Sequence, residues 1–161
     1  MYKYNEIIER AIVTWIKTEL SLTYVFSEKQ KLKAVPPTGE MFCTFNLGAA
    51  SKMGYDDMSY NPTTEKYGFD GIRKIPLSVT IYGDYALEKA SILRNSLEKM
   101  STLDTLRVAG IHIARAFDIL DTSAVLETGF ETRATLDIAI YTKESIIDDT
   151  GWIEEVEVTK I

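Results

Sequence analysis

The sequence predicts an α+β fold: a mainly antiparallel sheet of about four strands with helices packed on one face, plus a long hairpin arm and a β-rich C-terminal tail. Three observations carry this expectation. Stretches 5–20 and 84–97 repeat apolar residues at three- and four-residue spacing, which lines up one side of a helix. Stretches 41–49, 75–83 and 130–142 alternate apolar and polar residues, the period of a half-buried strand. No regular alternation of strand and helix supports a parallel sheet, so antiparallel pairing is the default.

The first helix is expected to be capped by Asn5, with Glu6 and Glu9 at its positive end and Ile8, Ala11, Ile12, Trp15 and Ile16 on its apolar side, widened by Tyr4 and Ile7. A short extended piece at 22–26 and a polar loop with Lys29, Lys31 and Lys33 lead to Pro36-Pro37. In the next strand Met41, Cys43, Phe45, Leu47 and Ala49 share a face; in its partner Ile75, Leu77, Val79 and Ile81 do. Between them, 52–74 carries Tyr55, Tyr60, Tyr67 and Phe69 among Asp, Asn, Gly, Pro and Thr. Such a segment cannot build a core, and its aromatics are of the kind enriched where surfaces meet, so it reads as a hairpin arm.

Asp84 is the expected cap of the second helix, whose inner side is Ala86, Leu87, Ala90, Leu93 and Leu97; a short helix over 102–109 stops at Gly110. A strand at 111–117 and a linker at 118–128 precede the last strand, in which Phe130, Ala134, Leu136, Ile138 and Ile140 face the core. The C-terminal tail, about 144–161, follows the turn Asp148-Asp149-Thr150-Gly151 with the β-favouring run from Trp152 to Val158.

With 161 residues, 45% hydrophobic and 26% charged, the chain fits a single domain over 1–161 with one core. No apolar run approaches the roughly 20 residues of a membrane-spanning helix, and the N-terminus lacks the order of a secretion signal, so residence in a cytosol is expected. From Glu144 onward six acids face one base, so this segment holds five of the six net negative charges. A near-neutral body with an acidic end opposes nucleic-acid binding through basic patches, and suits a surface that DNA passes without sticking.

Motifs for chemistry are missing. His112 is the lone histidine and has no nucleophile or carboxylate placed by a motif; Cys43 is the lone cysteine and sits in an apolar strand, so neither a disulfide nor a zinc site of the usual ligands can be built. The scattered glycines form no phosphate loop, and the acids at Asp148, Asp149 and Glu154 lack the alternation of an EF-hand. The reading is of a protein without catalytic, metal or cofactor sites.

In order along the chain, Trp15-Ile16-Lys17 before a short strand, Leu77 to Gly83 running straight into a helix, the step Ala109-Gly110-Ile111, the charged strand Glu131 to Asp137 and the close Trp152-Ile153-Glu154-Glu155-Val156 resemble the neck or tail terminator (tail completion) proteins of tailed bacteriophages. The lysine-rich loop, Pro36-Pro37 and the tyrosine-rich arm depart from that pattern. The resemblance implies a virion protein, assembled in the host cytoplasm, that forms a ring, commonly of six subunits. The ring caps the tail tube, stops its polymerisation and joins the tail to the neck or head connector. The implied partners are further copies of the chain, the tail tube protein, the connector proteins and DNA passing through the lumen without specific binding. Candidate subunit-interface residues are Tyr55, Tyr60, Tyr67, Phe69, Trp152, Ile153, Val156 and Val158; candidate channel-lining residues are Asp56, Asp57, Asp148 and Asp149. The alternatives are another head-tail connector, a tube subunit, or a small bacterial α+β ligand-binding domain.

Overall fold

The alternation of Ile75, Leu77, Val79 and Ile81 with polar residues, matched by Ala134, Leu136, Ile138 and Ile140, makes two long strands that bury the same face side by side. The computed structural model describes residues 3–29, 36, 38–127 and 129–148. In chain order it contains α1 (Lys3–Leu20), β1 (Tyr24–Ser27), β2 (Phe42–Leu47), β3 (Ser51–Asn61), β4 (Lys66–Tyr82), α2 (Ala86–Ser96), α3 (Met100–Val108), β5 (His112–Asp121), β6 (Ala124–Leu126), β7 (Gly129–Glu131) and β8 (Arg133–Asp148). The architecture is α+β and mainly antiparallel, but the main sheet has six strands where about four are expected. Its order is β1-β2-β4-β8-β5, with β3 also on β4, while β6 and β7 form a separate hairpin.

The two added strands have physical causes. β1 is too short to announce itself by alternation, and it pairs with β2 in parallel, the one departure from antiparallel pairing in this sheet. β3 comes from the tyrosine-rich segment, exposed along nearly its whole length, so no buried face marks it in the sequence. β2 and β3 lie end to end along one edge of β4: β2 pairs with 77–82 and β3 with 66–74. Pro76 sits at the junction. Its carbonyl accepts from the Gly48 N–H at 2.8 Å, so its missing N–H faces the same gap between β2 and β3 and costs the ladder to β8 nothing. Gly48 is needed there, because a β-carbon would stand 2.5 Å from Cγ of Pro76.

The helices cover one face. Ile8, Ile12, Trp15, Ile16 and Leu20 of α1, Ala86, Ala90 and Leu93 of α2 and Leu106 of α3 join Cys43, Phe45, Leu47 and the inward residues of β4 and β8 in one core. Burying each large aliphatic side chain contributes roughly 1.5–3 kcal/mol. The Trp15 indole N–H donates to Ser96 Oγ at 2.8 Å, and that hydroxyl donates to the Leu93 carbonyl, so the polar atoms between α1 and α2 are satisfied. α3 ends as expected at Gly110: the Gly110 N–H reaches Arg107 O and the Ile111 N–H reaches Leu106 O, a Schellman closure with Ile111 and Leu106 both buried.

Several local expectations are corrected. α1 begins at Lys3, so Asn5 is within the helix and not its cap, and Ile7 lies on its exposed side. Tyr85, in a left-handed conformation with φ 62°, occupies the start of α2 in place of Asp84, and this turns Leu87 outward. The linker at 118–128 is instead the end of β5 and the β6–β7 hairpin. The break at Thr132 separates β7 from β8, so Phe130 does not continue the buried row and is exposed.

Candidate functional site

Beyond Pro76 the sheet outruns its helices. There β3, the first half of β4 (66–74) and the last third of β8 (143–148) form a three-stranded blade, with Met58, Phe69 and Ile146 aligned across the strands on one face and Met53, Ile72 and Lys143 on the other. Residues 143–148 of β8 are all exposed, as is almost all of β3. Among the described residues these three strands have no second layer to bury against, and a lone small sheet is marginal in water without one.

An ion cluster at the root of the blade ties its three strands together. Between Met53 and Asp57 the ladder with β4 slips, and this bulge aims Asp56 back over the sheet. Arg73 grips it with both guanidinium ends, Nη1 to Oδ1 at 2.8 Å and Nη2 to Oδ2 at 3.1 Å, while its Nε donates to Glu144 at 2.6 Å. Lys52 adds a fourth member, 3.0 Å from Asp56. One residue from each of the three strands thus meets at Arg73, and a bidentate fork is the strongest form of such a pair. Gly71 makes room for it, since a β-carbon there would lie 2.6 Å from Asp56 Cγ and against the guanidinium. On the opposite face Lys143 stands 3.0 Å from Asp70.

The cluster sets the electrostatics. The Asp56 carboxyl is held down at about 2 by its hydrogen bond from Arg73, then by that from Lys52, and Arg73 is pushed further up by the same partners. Asp70 is lowered by hydrogen bonds from Ser145 and then Lys143. Because the folded-state value of Asp56 is depressed, its contribution to stability is present above the ordinary carboxylate range and is lost as pH falls toward about 2. Amide exchange in β3 is therefore expected to speed up, relative to that in β2, between about pH 5 and about pH 2. Asp56→Asn should already show the fast β3 exchange at the upper end and lose the added pH dependence. An unchanged profile in this variant would refute the assignment.

The expected site residues distribute as follows. Tyr55 is 99% exposed, at the bulge; Tyr60 and Tyr67 face each other across β3 and β4 with ring centroids 5.0 Å apart; Phe69 is half-buried beside Met58. Asp56 is committed to Arg73, whereas Asp57 and Asp148 are exposed. Asp149, Trp152, Ile153, Val156 and Val158 lie outside the described residues. Sequence reasoning missed Met53, Met58, Ile72, Ile146 and Ile147, which give the blade its remaining exposed apolar area. The signal for the last two was continued β-propensity after Thr142 in a stretch assigned to the tail.

A second feature is a groove of about 640 Å³ where the blade meets β5, lined by Met53, Tyr55, Ile72, His112 and Tyr141 with Asp57, Asp70 and Lys143. His112 is exposed on β5 opposite Tyr141. Cys43 is buried, and burial pushes its thiol up to about 12. Among the described residues no three His, Cys, Asp or Glu side chains are grouped to hold a metal ion, and no helix is long and apolar enough to cross a membrane.

No curated protein matches this sequence. Among solved structures, a chain described as "Virion of native gene transfer agent (GTA) particle" is similar with a TM-score of 0.40 and 13% identity, covering 89% of this chain and 100% of that one. The phage neck terminator protein family matches residues 6–161, nearly the whole sequence. The chain therefore belongs to the phage neck terminator protein family, and is a structural protein of the phage particle.

Proposed function

We propose that this chain is the subunit of a six-membered ring that sits on the end of the phage tail tube, stops its polymerisation and joins the tail to the neck or head connector. The observation that carries the reading is the blade: a three-stranded sheet with Tyr55, Met58, Ile72 and Ile147 exposed on its two faces, its strands tied at the root through Arg73. Exposed apolar area of this kind on a soluble protein marks a contact surface. Family membership supports a contact within the virion. A ring needs two different patches on each copy, and the blade supplies one of them. Its partners under this reading are further copies, the tail tube protein and the connector. Among the described acids, exposed Asp148 at the tip of the blade is the one this reading places at the lumen, where it would repel passing DNA and keep it from sticking.

Light scattering and electron microscopy of the purified chain, alone and mixed with polymerising tube protein, test this. Discrete rings, or tubes that stop growing once the chain is added, are the expected result. Long tubes built from this chain alone would identify it as a tube subunit. A monomer or dimer without effect on tube growth would remove the reading.

A further inference from the structure

We infer that residues 152–157 add to the chain's own blade as a fourth strand, paired antiparallel along the open side of β8. The inference goes beyond the ring reading and does not depend on it.

The site is a sheet edge. β5 reaches along β8 only as far as His112, opposite Tyr141, so from Thr142 to Asp148 no strand among the described residues lies on that side. Pro76 tells which backbone groups face the opening. Its carbonyl turns to Gly48 and that of Lys74 to Ser51, so the even residues of β4 point toward β2 and β3 and the odd ones toward β8. Because β4 and β8 keep unbroken register, the even residues of β8 bond to β4, while Ser145 and Ile147 turn their N–H and C=O to the open side. The outer edge of β3 is guarded by its bulge. This one is regular and carries Ile146-Ile147, the kind of edge that proteins cover.

The occupant follows from loop length. β3 and β4 already join through a loop at 62–65, whose last residue, Glu65, is left-handed at φ 56° and donates its N–H to Asn61 O. After Ile147 the sequence offers a loop of the same length, Asp148-Asp149-Thr150-Gly151, with glycine, which takes that conformation without strain, in the last place. The same loop sets Trp152 opposite Ile147 and Glu154 opposite Ser145, and both β8 residues then gain backbone partners. In this register Ile153 falls beside Ile146 and extends the row Met58, Phe69, Ile146 onto a fourth strand. Glu155 falls opposite Glu144, a repulsion that Arg73, already bonded to Glu144, screens. Val158 would stand opposite Tyr141, a place that His112 holds, so pairing stops at Glu157. The opening and the segment thus match in length.

So short a tether keeps the segment at high effective concentration, which favours its own copy over a neighbour's. Once covered, this edge cannot extend the sheet into another protein, and on this side the blade meets partners through its faces.

The test is mild oxidation of the full chain bearing Ile146→Cys and Ile153→Cys, a side-by-side pair whose spacing suits a disulfide. Ile146 is exposed, so the fold tolerates the change, and buried Cys43 stays silent. The variant is expected to close a disulfide within one copy and to run as a monomer without reductant. Ile146→Cys with Glu154→Cys, whose second thiol points to the opposite face, should close roughly tenfold more slowly. Disulfide-linked dimers or longer species would move the strand to a neighbour's edge and overturn the inference. Equal rates in the two variants, or no disulfide in the first, also overturn it. Amide exchange in the unsubstituted chain gives a second reading: Ser145 and Ile147 are expected to exchange as slowly as Glu144 and Ile146, and fast exchange at the first two alone refutes the added strand.

Discussion

Leu136→Ala is expected to cost about 2–5 kcal/mol of unfolding free energy, the largest effect of any single truncation considered for this chain. Leu136 is fully buried in β8, paired with Val79 of β4 on one side and Ile119 of β5 on the other, with the helical layer above it. Removing its branched end leaves a cavity walled by strands locked in register and unable to collapse. Set against a total stability of order 5–15 kcal/mol for a domain, that loss should lower the melting temperature by about 10 °C. Ile147→Ala supplies the contrast within the same strand: Ile147 is exposed, and its truncation should fall within about 0.5 kcal/mol in the isolated chain. Urea denaturation followed by tryptophan emission measures both. A Leu136 variant costing under about 1 kcal/mol would mean that the core is not organised around this strand.

Gly71→Val is expected to loosen the blade while sparing the helical half. Valine favours strands, so propensity alone would predict a gain. The collision decides instead: the new side chain occupies the place of the Asp56 carboxylate and the Arg73 guanidinium, and the fork that joins β3, β4 and β8 must open. Overpacking of this kind costs about 1–3 kcal/mol. Confined to the blade, that is roughly ten- to hundredfold faster amide exchange across β3 and the end of β8, with protection in α1 and β2 unchanged. Under the ring proposal, assembly should fail in the same variant. Native-like exchange in β3 would show that the ion cluster does not hold the blade.

Where one face of an element is buried, the sequence shows it. Cys43, Phe45 and Leu47, the row from Ile75 to Ile81, the row from Ala134 to Ile140 and the α1 stripe were all legible from period alone. The tyrosine-rich segment read as a hairpin arm, but its strand bounds and the addition of the end of β8 did not show, because a sheet wet on both faces has no reason to alternate. Partners distant in sequence were equally hidden. Arg73 meets Asp56 across 17 residues and Glu144 across 71, and only the fold makes that cluster. The hairpin at 124–131 looked like a linker because three-residue strands carry too few positions to show a period. Boundary errors had local causes: a left-handed Tyr85 displaced the expected cap at Asp84, and a break at Thr132 ended the phase that would have buried Phe130.

β4 and β8 run unbroken from the helix-covered half into the blade, β8 for 16 residues, all paired with β4. A pull on the blade along this direction would be resisted as shear: the rungs between the two strands share the strain and must fail together, where a sideways pull would unzip them one at a time. The overhanging part is thus a cantilever clamped in the core. A jolt arriving at its tip is handed to the body of the subunit, with no hinge on the way to absorb it.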